Sequence, residues 1–392
     1  MRQVMPSDQL PEGATSPDAK PVISFTEKRR GKAPSHLIDY DAAGRKKVVK
    51  ELGLSAFRAD QLARHYFEHY RTDPSEMTDL PASAGPAVET LFPSLISEAT
   101  AIAADQGKTL KFLWNLFDGA QVESVLMRYP KRTTLCISSQ AGCGMACPFC
   151  ATGQMGLSRN LSTAEIVEQV RMAKIACETG RLNGGKTTLN NVVFMGMGEP
   201  LANYKPVIAA LHRLIDPYPN GFGMSARNIT VSTVGLVPFI NRLANEGLPI
   251  TLAVSLHCPD DGLRDELIPM NSRWKTQELF DAAFGYYQKT GRRVSIEYAL
   301  IKDMNDHPWR AQMLADELNR RGKGWAHVNP IPLNPTPESI WTASTPIAQQ
   351  IFVDTLKKAG ISTTIRDTRG SDIDGACGQL ASAANRKLKG RK

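Results

Sequence analysis

The chain contains no run of ~18 apolar residues, so a membrane-spanning helix is not expected. Its opening stretch, MRQVMPSDQLPEGATSPDAK, lacks the apolar segment of a secretory signal. An even set of cysteines is missing too. Seven cysteines in 392 residues do not suggest a disulfide framework. A reducing, cytoplasmic setting that keeps thiols free is the expected location. There is no low-complexity core, and no repeat beyond a strand–helix rhythm. These absences turn attention to single residues and their spacing.

Three of the cysteines read Cys143-Gly-Met-Ala-Cys147-Pro-Phe-Cys150. Thiolates spaced this closely can hold three irons of a cubane cluster and leave the fourth without a protein ligand. A structural zinc site would need a fourth Cys or His. None lies within the ten residues that follow Cys150. Cys136 lies upstream, on a strand-like run that directs it elsewhere. The open iron is where the amino and carboxylate groups of S-adenosylmethionine (SAM) could coordinate, and an electron from the cluster could split its sulfonium to a carbon radical.

The 47 Lys and Arg exceed the 39 Asp and Glu, for a net charge of +8. That balance suggests a polyanionic partner, most simply nucleic acid. Basic runs at Lys28-Arg29-Arg30-Gly31-Lys32 and Arg386-Lys387-Leu388-Lys389-Gly390-Arg391-Lys392 fit either such a contact or solvated tails.

The organisation follows from pattern. Residues 1–38 read as a disordered extension. Residues 39–100 carry short amphipathic helices, including Val48, Leu52, Phe57, Leu62, Tyr66 and Phe67. They form either an RNA-gripping module or a packing appendage. Residues 101–132 hold a β-hairpin, with Lys108–Phe117 returning as Gln121–Arg128 through Asp118-Gly119. Residues 133–380 alternate strand and helix, and 381–392 form a basic tail. Strands are predicted at Thr133–Ser138, Asn191–Met195, Asn228–Thr233, Ile250–Leu256, Arg293–Leu300 and Ala326–Ile331, with Ile361–Arg366 a further candidate. Helices are predicted at Thr163–Glu178, Lys205–Ile215, Val237–Glu246, Thr276–Lys289, Pro308–Arg320 and Thr345–Lys358. The expected fold is α/β, a partial (β/α)6 TIM-like barrel with a small N-terminal helical domain and a hairpin extension. In such barrels the chemistry sits at the C-terminal ends of the strands.

The unusual residues fall at those ends. The second strand runs into Phe194-Met195-Gly196-Met197-Gly198-Glu199-Pro200. Its glycines allow close backbone approach, and Glu199 can accept from an ammonium group. Later strands end in Ser232-Thr233, Ser255-Leu256-His257 and Ile331-Pro332-Leu333-Asn334. Each alone is ordinary strand capping, but together on one face they suit a ligand. Cys377, in Asp374-Gly375-Ala376-Cys377-Gly378, is flanked by glycines and reads as an exposed, reactive thiol. Cys136 fits a core role or a chemical one equally. Cys177 lies on an apolar helical face and reads as core, and Cys258 as packing.

From Asp39 to Leu380 the chain resembles the radical SAM RNA adenine methyltransferases of the RlmN/Cfr family. The resemblance is carried by TLCISSQAGCGMACPFCATGQMG, FMGMGEPLAN, ITVSTVG, AVSLH, IPLNP and DIDGACGQL. It implies that Cys143, Cys147 and Cys150 bind a [4Fe–4S] cluster. It also implies that Gly198, Glu199, Ser232, Ser255, Leu256, His257 and Asn334 contact SAM. Cys377 would carry a methyl group, Cys136 would resolve the RNA adduct, and Glu123 would accept a proton. The implied reaction methylates C2 of an adenine in large-subunit (23S) ribosomal RNA and of one in the tRNA anticodon loop. It passes through an S-methylcysteine and uses SAM twice. A Cys136–Cys377 disulfide would form and need rereduction by a flavodoxin-like or ferredoxin-like protein. The enzyme would be a monomer. Methylation at adenine C8, the activity of the Cfr branch, is one rival. An iron–sulfur electron-transfer protein, or an RNA-binding protein without methylation, is another.

Overall fold

The computed structural model describes residues 31–334, 336 and 339–366. Cys377, the basic tail and most of the N-terminal extension lie outside the described residues.

Eleven strands are present among the described residues. They are β1 (Ile96–Ala104), β2 (Thr109–Leu116), β3 (Gln121–Arg128), β4 (Thr133–Cys136), β5 (Gln140–Gly142), β6 (Leu157–Asn160), β7 (Asn191–Phe194), β8 (Ile229–Thr233), β9 (Thr251–Ser255), β10 (Val294–Leu300) and β11 (Ala326–Pro332). Nine make one sheet in the order β1-β2-β3-β4-β7-β8-β9-β10-β11. Strands β1 to β4 pair antiparallel, and β4 through β11 pair parallel. The six parallel strands are the expected open barrel, because each crossover returns the chain in the same direction. Strands β5 and β6 form a separate two-stranded ladder.

Eleven α-helices accompany them. Helices α1 (Ala42–Glu51), α2 (Arg58–His69) and α3 (Gly85–Leu91) precede the sheet, and α4 (Ala151–Met155) follows the cysteine loop. The crossover helices are α5 (Thr163–Glu178), α6 (Tyr204–Ile215), α7 (Val237–Leu243), α8 (Asp261–Leu267), α9 (Thr276–Thr290), α10 (Pro308–Arg320) and α11 (Pro346–Lys358). The start of α5 shows the local logic. Ser162 accepts from the Glu165 N–H, and the Glu165 carboxylate accepts from the Ser162 N–H, satisfying two otherwise orphaned donors.

Several features differ from the sequence expectation, among them the β5–β6 ladder and helices α4 and α8, which were not predicted. Strand β1 was not foreseen. It is an edge strand of mostly small, exposed residues, so it carries little alternation. A bidentate Arg181–Glu98 pair ties it down, at 2.6 and 2.8 Å. Helix α7 stops at Leu243, short of Glu246. The 361–366 segment forms no strand. It runs beside β11 through bonds such as Val328 N–H to the Ser362 carbonyl at 2.9 Å, but makes only an isolated bridge.

The N-terminal helices share a core with the barrel's outer layer. Tyr66 and Phe67 are fully buried. Phe222, between α6 and β8, meets Phe67 edge-on at 5.0 Å. The polar joint is Glu168 on α5. It accepts from the Tyr66 hydroxyl, and from Arg171 Nε and Nη2 at 2.9 and 2.8 Å. Arg171 Nη1 in turn donates to the Tyr70 carbonyl at 2.7 Å. Burial alone would raise the Glu168 pKa, but the Arg171 charge and hydrogen bonds outweigh it and hold the carboxyl below its ordinary value. The stabilisation is therefore present above the unfolded-state pKa and lost as pH falls through the folded one. Glu168→Ala leaves Arg171 buried without its partner. It is expected to cost about 3 kcal/mol, read as a lower urea midpoint at pH 7.

Candidate active site

The cysteine loop is laced to its neighbour before it reaches the first cysteine. The β4–β7 pairing continues as Ile137 N–H to the Val193 carbonyl (3.0 Å), and Ser139 and Gln140 N–H both donate to Met197 O, at 2.9 and 3.2 Å. The β5–β6 ladder then closes the loop on itself, and Cys143 N–H donates to the Gly156 carbonyl at 2.9 Å. Gly142 makes this closure possible. Its φ is +78°, and a Cβ there would sit 2.0 Å from the Gly156 oxygen. Ala146 also takes a positive φ, 56°, which turns the chain into Cys147. Cys150 caps α4.

Cys143, Cys147 and Cys150 all line one cavity of about 1010 Å³ at the C-terminal ends of the parallel strands, a volume that includes its open mouth. The same cavity is lined by Gly198, Glu199, Ser232, Ser255, His257 and Asn334. The loops after β4, β7, β8, β9 and β11 thus converge, as the strand-end residues predicted. Leu256 does not line it. Its side chain is fully buried in the core, its N–H donates to the Glu297 carbonyl and its carbonyl accepts from Arg264 Nε, both at 3.0 Å. Glu123 and Cys136 lie in the cavity's flank rather than its lining. Val125, on the Glu123 face of β3, pairs directly with Cys136. The Glu123 carboxylate is buried 3.4 Å from the Lys111 ammonium, and its carbonyl accepts from Ser138 Oγ at 2.6 Å. Cys177 and Cys258 are buried, as read from sequence.

Each polar wall residue has a defined state. Glu199 accepts from Leu201 N–H and Val234 N–H at 3.0 and 2.9 Å. Burial pushes its pKa up to about 7, with those two N–H groups opposing the rise. An arriving cation would therefore meet a carboxyl that gains by ionising. Gly198, at φ +98°, lets this loop pack against the cysteine loop, since a Cβ there would meet Gln140 Cβ at 2.5 Å. Ser232 Oγ and Ser255 Oγ lie 3.2 Å apart across adjacent strands. His257 sits at φ 58°, held by Asn305 Nδ2, which donates to the His257 and Ala299 carbonyls at 2.7 and 2.6 Å. The Ala299 N–H donates to His257 Nδ1 at 2.9 Å, which leaves the ring proton on Nε2. Phe149, from the cysteine loop, meets that ring edge-on at 5.1 Å.

Sequence reasoning missed Glu297. It lines the cavity while buried, and accepts from Ser295 Oγ at 2.6 Å and Asn329 Nδ2 at 2.8 Å. Arg366 lies 3.6 Å from its carboxylate. The available signal was a lone acid within the apolar strand Val294–Leu300. Arg264 and Asn305 were also missed, because their partners are carbonyls on distant segments.

The donor set fits an iron–sulfur cubane. Three thiols open onto one hollow with largely apolar walls. Burial pushes the Cys143 thiol up to about 12 and the Cys147 thiol well above its ordinary value, so the cavity favours thiolates only when a cation is bound to them. Among the described residues no three His, Cys, Asp or Glu side chains are arranged to hold a single metal ion. A cubane asks for something else, one thiolate on each of three irons.

This fold and cysteine loop define a radical SAM enzyme. Residues 137–313 match the radical SAM superfamily model. The chain is 60% identical over 366 residues to the "Probable dual-specificity RNA methyltransferase RlmN" of Kocuria rhizophila, covering 92% of this chain and 96% of that one. It is 61% identical over 354 residues to the protein of the same name from Kineococcus radiotolerans, with 90% of each chain covered. The crystal structure of a radical SAM methyltransferase from Sphaerobacter thermophilus superposes with a TM-score of 0.83 at 42% identity, covering 88% of this chain and 99% of that one. The chain belongs to the RlmN family of radical SAM RNA methyltransferases, whose cofactors are a [4Fe–4S] cluster and SAM.

Burial, and then the Arg264 charge, push the His257 pKa down to about 3. The unfolded chain takes this proton near the ordinary value of 6.5. Folded stability therefore falls as pH drops below that value and levels off below 3. The ring itself stays neutral at working pH. In histidine-labelled protein the His257 Cε1 resonance is expected to hold still from about pH 5 to 8, where an exposed histidine titrates.

Proposed function

We propose that this enzyme methylates C2 of an adenine in large-subunit ribosomal RNA, and C2 of an adenine in the tRNA anticodon loop. The reading is carried by the three-cysteine loop opening onto the same cavity as Glu199, Ser232, Ser255 and Asn334, in a chain whose relatives are named dual-specificity RNA methyltransferases.

In this reading Cys143, Cys147 and Cys150 hold the cluster, and each other wall residue has a task set by its chemistry. Glu199 accepts from the ammonium of SAM. Gly198 lets the ligand approach the backbone. Ser232 and Ser255 take ribose hydroxyls, and Asn334 pairs with the carboxylate. His257 supplies a fixed N–H donor because its other nitrogen is occupied. Leu256 contributes through its backbone, which sets the strand end between Ser255 and His257. When bound, the cluster supplies the electron that makes SAM a source of radical chemistry.

The chain's own thiols account for the rest. Adenine C2 is electron-poor and does not attack a sulfonium. The Cys377 thiolate does, displacing the methyl group onto its own sulfur. A second SAM is spent on activating that methyl group for attachment to the ring. Glu123 then accepts the ring proton as the adduct gives up its one odd electron. The Cys136 thiolate attacks the Cys377 sulfur, the carbon–sulfur bond breaks with its electron pair toward the base, the released carbon takes up a proton to become the methyl group, and a Cys136–Cys377 disulfide remains. Two electrons from a flavodoxin-like or ferredoxin-like donor restore both thiols. That cycle suits a cytoplasmic monomer. The base must leave its stack, at a cost of a few kcal/mol. The +8 net charge and the N-terminal helices supply backbone contacts that offset it.

Two experiments test this. Glu199→Gln keeps the shape and loses the charge. It is expected to weaken SAM binding by about tenfold or more, as for one lost charge-assisted hydrogen bond, measured by equilibrium dialysis under anaerobic conditions. Methyl-labelled SAM, reduced reconstituted enzyme and unmodified ribosomal RNA are expected to give labelled 2-methyladenosine, with none from Cys377→Ala. Label in 8-methyladenosine would overturn the C2 assignment. Label from Cys377→Ala would overturn the role of that thiol.

A further inference from the structure

Arg264, the central arginine of α8, is almost fully buried at 1% exposure. All its hydrogen bonds go to neutral acceptors. Nε donates to the Leu256 carbonyl at 3.0 Å, and Nη1 to Asn271 Oδ1 at 2.6 Å. Nη2 donates to the Val234 carbonyl at 2.7 Å and the Ser255 carbonyl at 3.3 Å. No carboxylate among the described residues pairs with it. The nearby acids are otherwise engaged: Asn271 Nδ2 donates to Asp261 and Asp265, and Lys275 binds Asp265 at 2.8 Å. A buried cation without a counterion costs several kcal/mol, so its retention calls for a compensating anion.

The surroundings say where that anion belongs. Val234 and Ser255, whose carbonyls Arg264 grips, line the cavity together with Cys147. Among the groups whose negative charge would favour the guanidinium, the Cys147 sulfur is the strongest, and the effect is reciprocal. Burial lowers the Arg264 pKa only to about 10, so it stays charged at neutral pH. The guanidinium thus stands behind the wall on which the thiolates would be bound.

We propose that Arg264 is the fixed counter-charge of the iron–sulfur cluster and raises its reduction potential. This rests on the reading of Cys143, Cys147 and Cys150 as the cluster ligands. Reduction takes the cluster from [4Fe–4S]2+ to [4Fe–4S]+ with one electron from an external donor, and no bond is made or broken. The electron adds negative charge to an assembly that three thiolates already make anionic. A cation locked in a dry wall stabilises the reduced state more than the oxidised one. Arg264 is thus a positioning and electrostatic residue, touching neither SAM nor RNA.

The test is an EPR-monitored dithionite titration of the reconstituted holoenzyme. At the potential where half the wild-type cluster is reduced, the reduced-to-oxidised ratio in Arg264→Gln is expected to fall about tenfold. For a one-electron couple that is a midpoint lower by about 59 mV. Arg264→Lys keeps the charge and is expected to stay near the wild-type ratio. Should either variant fail to hold iron, Asn271→Asp places a carboxylate against Nη1 without removing the guanidinium, and is expected to lower the ratio in the same direction. A wild-type ratio in Arg264→Gln or Asn271→Asp would overturn the proposal. So would an equal fall in Arg264→Lys, which would assign the effect to the carbonyl clamp. A wild-type protein without a four-iron signal would instead sink the cluster assignment itself.

Discussion

Keeping charge and thiol out of water is the constraint around which this cavity is built. Glu199, His257, Cys143 and Cys147 line one largely apolar cavity and Arg264 lies behind its wall, and burial is the largest influence on the protonation of each. Burial acts against the charged form of every one of them. In the proposed reading a cluster and a SAM molecule would reverse most of these costs together: the thiolates would gain iron, Glu199 an ammonium and Arg264 an anionic neighbour. Cofactor loading should then be cooperative with the order of the cavity wall, because the same desolvation that opposes an unpaired charge strengthens each paired one.

The scaffold makes that convergence possible. Six neighbouring parallel strands send their C-terminal connections to one side, so residues at or after the ends of β4, β7, β8, β9 and β11 meet in one cavity. Backbone bonds from β7 to the cysteine loop, and from Arg264 to two strand ends, hold those turns against one another. The antiparallel strands β1–β3 extend the sheet on the β4 side. Glu123, on β3, thereby shares a sheet face with Cys136 on the neighbouring β4.

Much of this was legible in the sequence because the barrel writes its chemistry at strand ends. Glu199, Ser232, Ser255, His257 and Asn334 stood out as a set of polar groups at successive strand ends, and the family resemblance then singled out each one. What could not be read depends on partners far away in the chain. Glu297 looks like an ordinary strand acid until Asn329 and Arg366 are beside it. Arg264 sits in a helix of seven residues whose pattern suggests solvent, and only the fold turns it inward. Asn305 earns its place by holding His257 in a strained turn. Strand β1 was hidden for the opposite reason: an exposed edge of small residues has no buried face to announce it. Leu256 was expected at the ligand from the family resemblance, and its side chain is buried in the core between two residues that do line the cavity.

The central claim is that three cysteines leave one iron of the cluster open to SAM. Mössbauer spectroscopy of iron-57-loaded protein, with and without SAM, tests it most directly. The account predicts that one iron site of the four changes its parameters on SAM addition while the other three stay as they were. A spectrum unchanged by saturating SAM, or one in which all four sites move together, would contradict it.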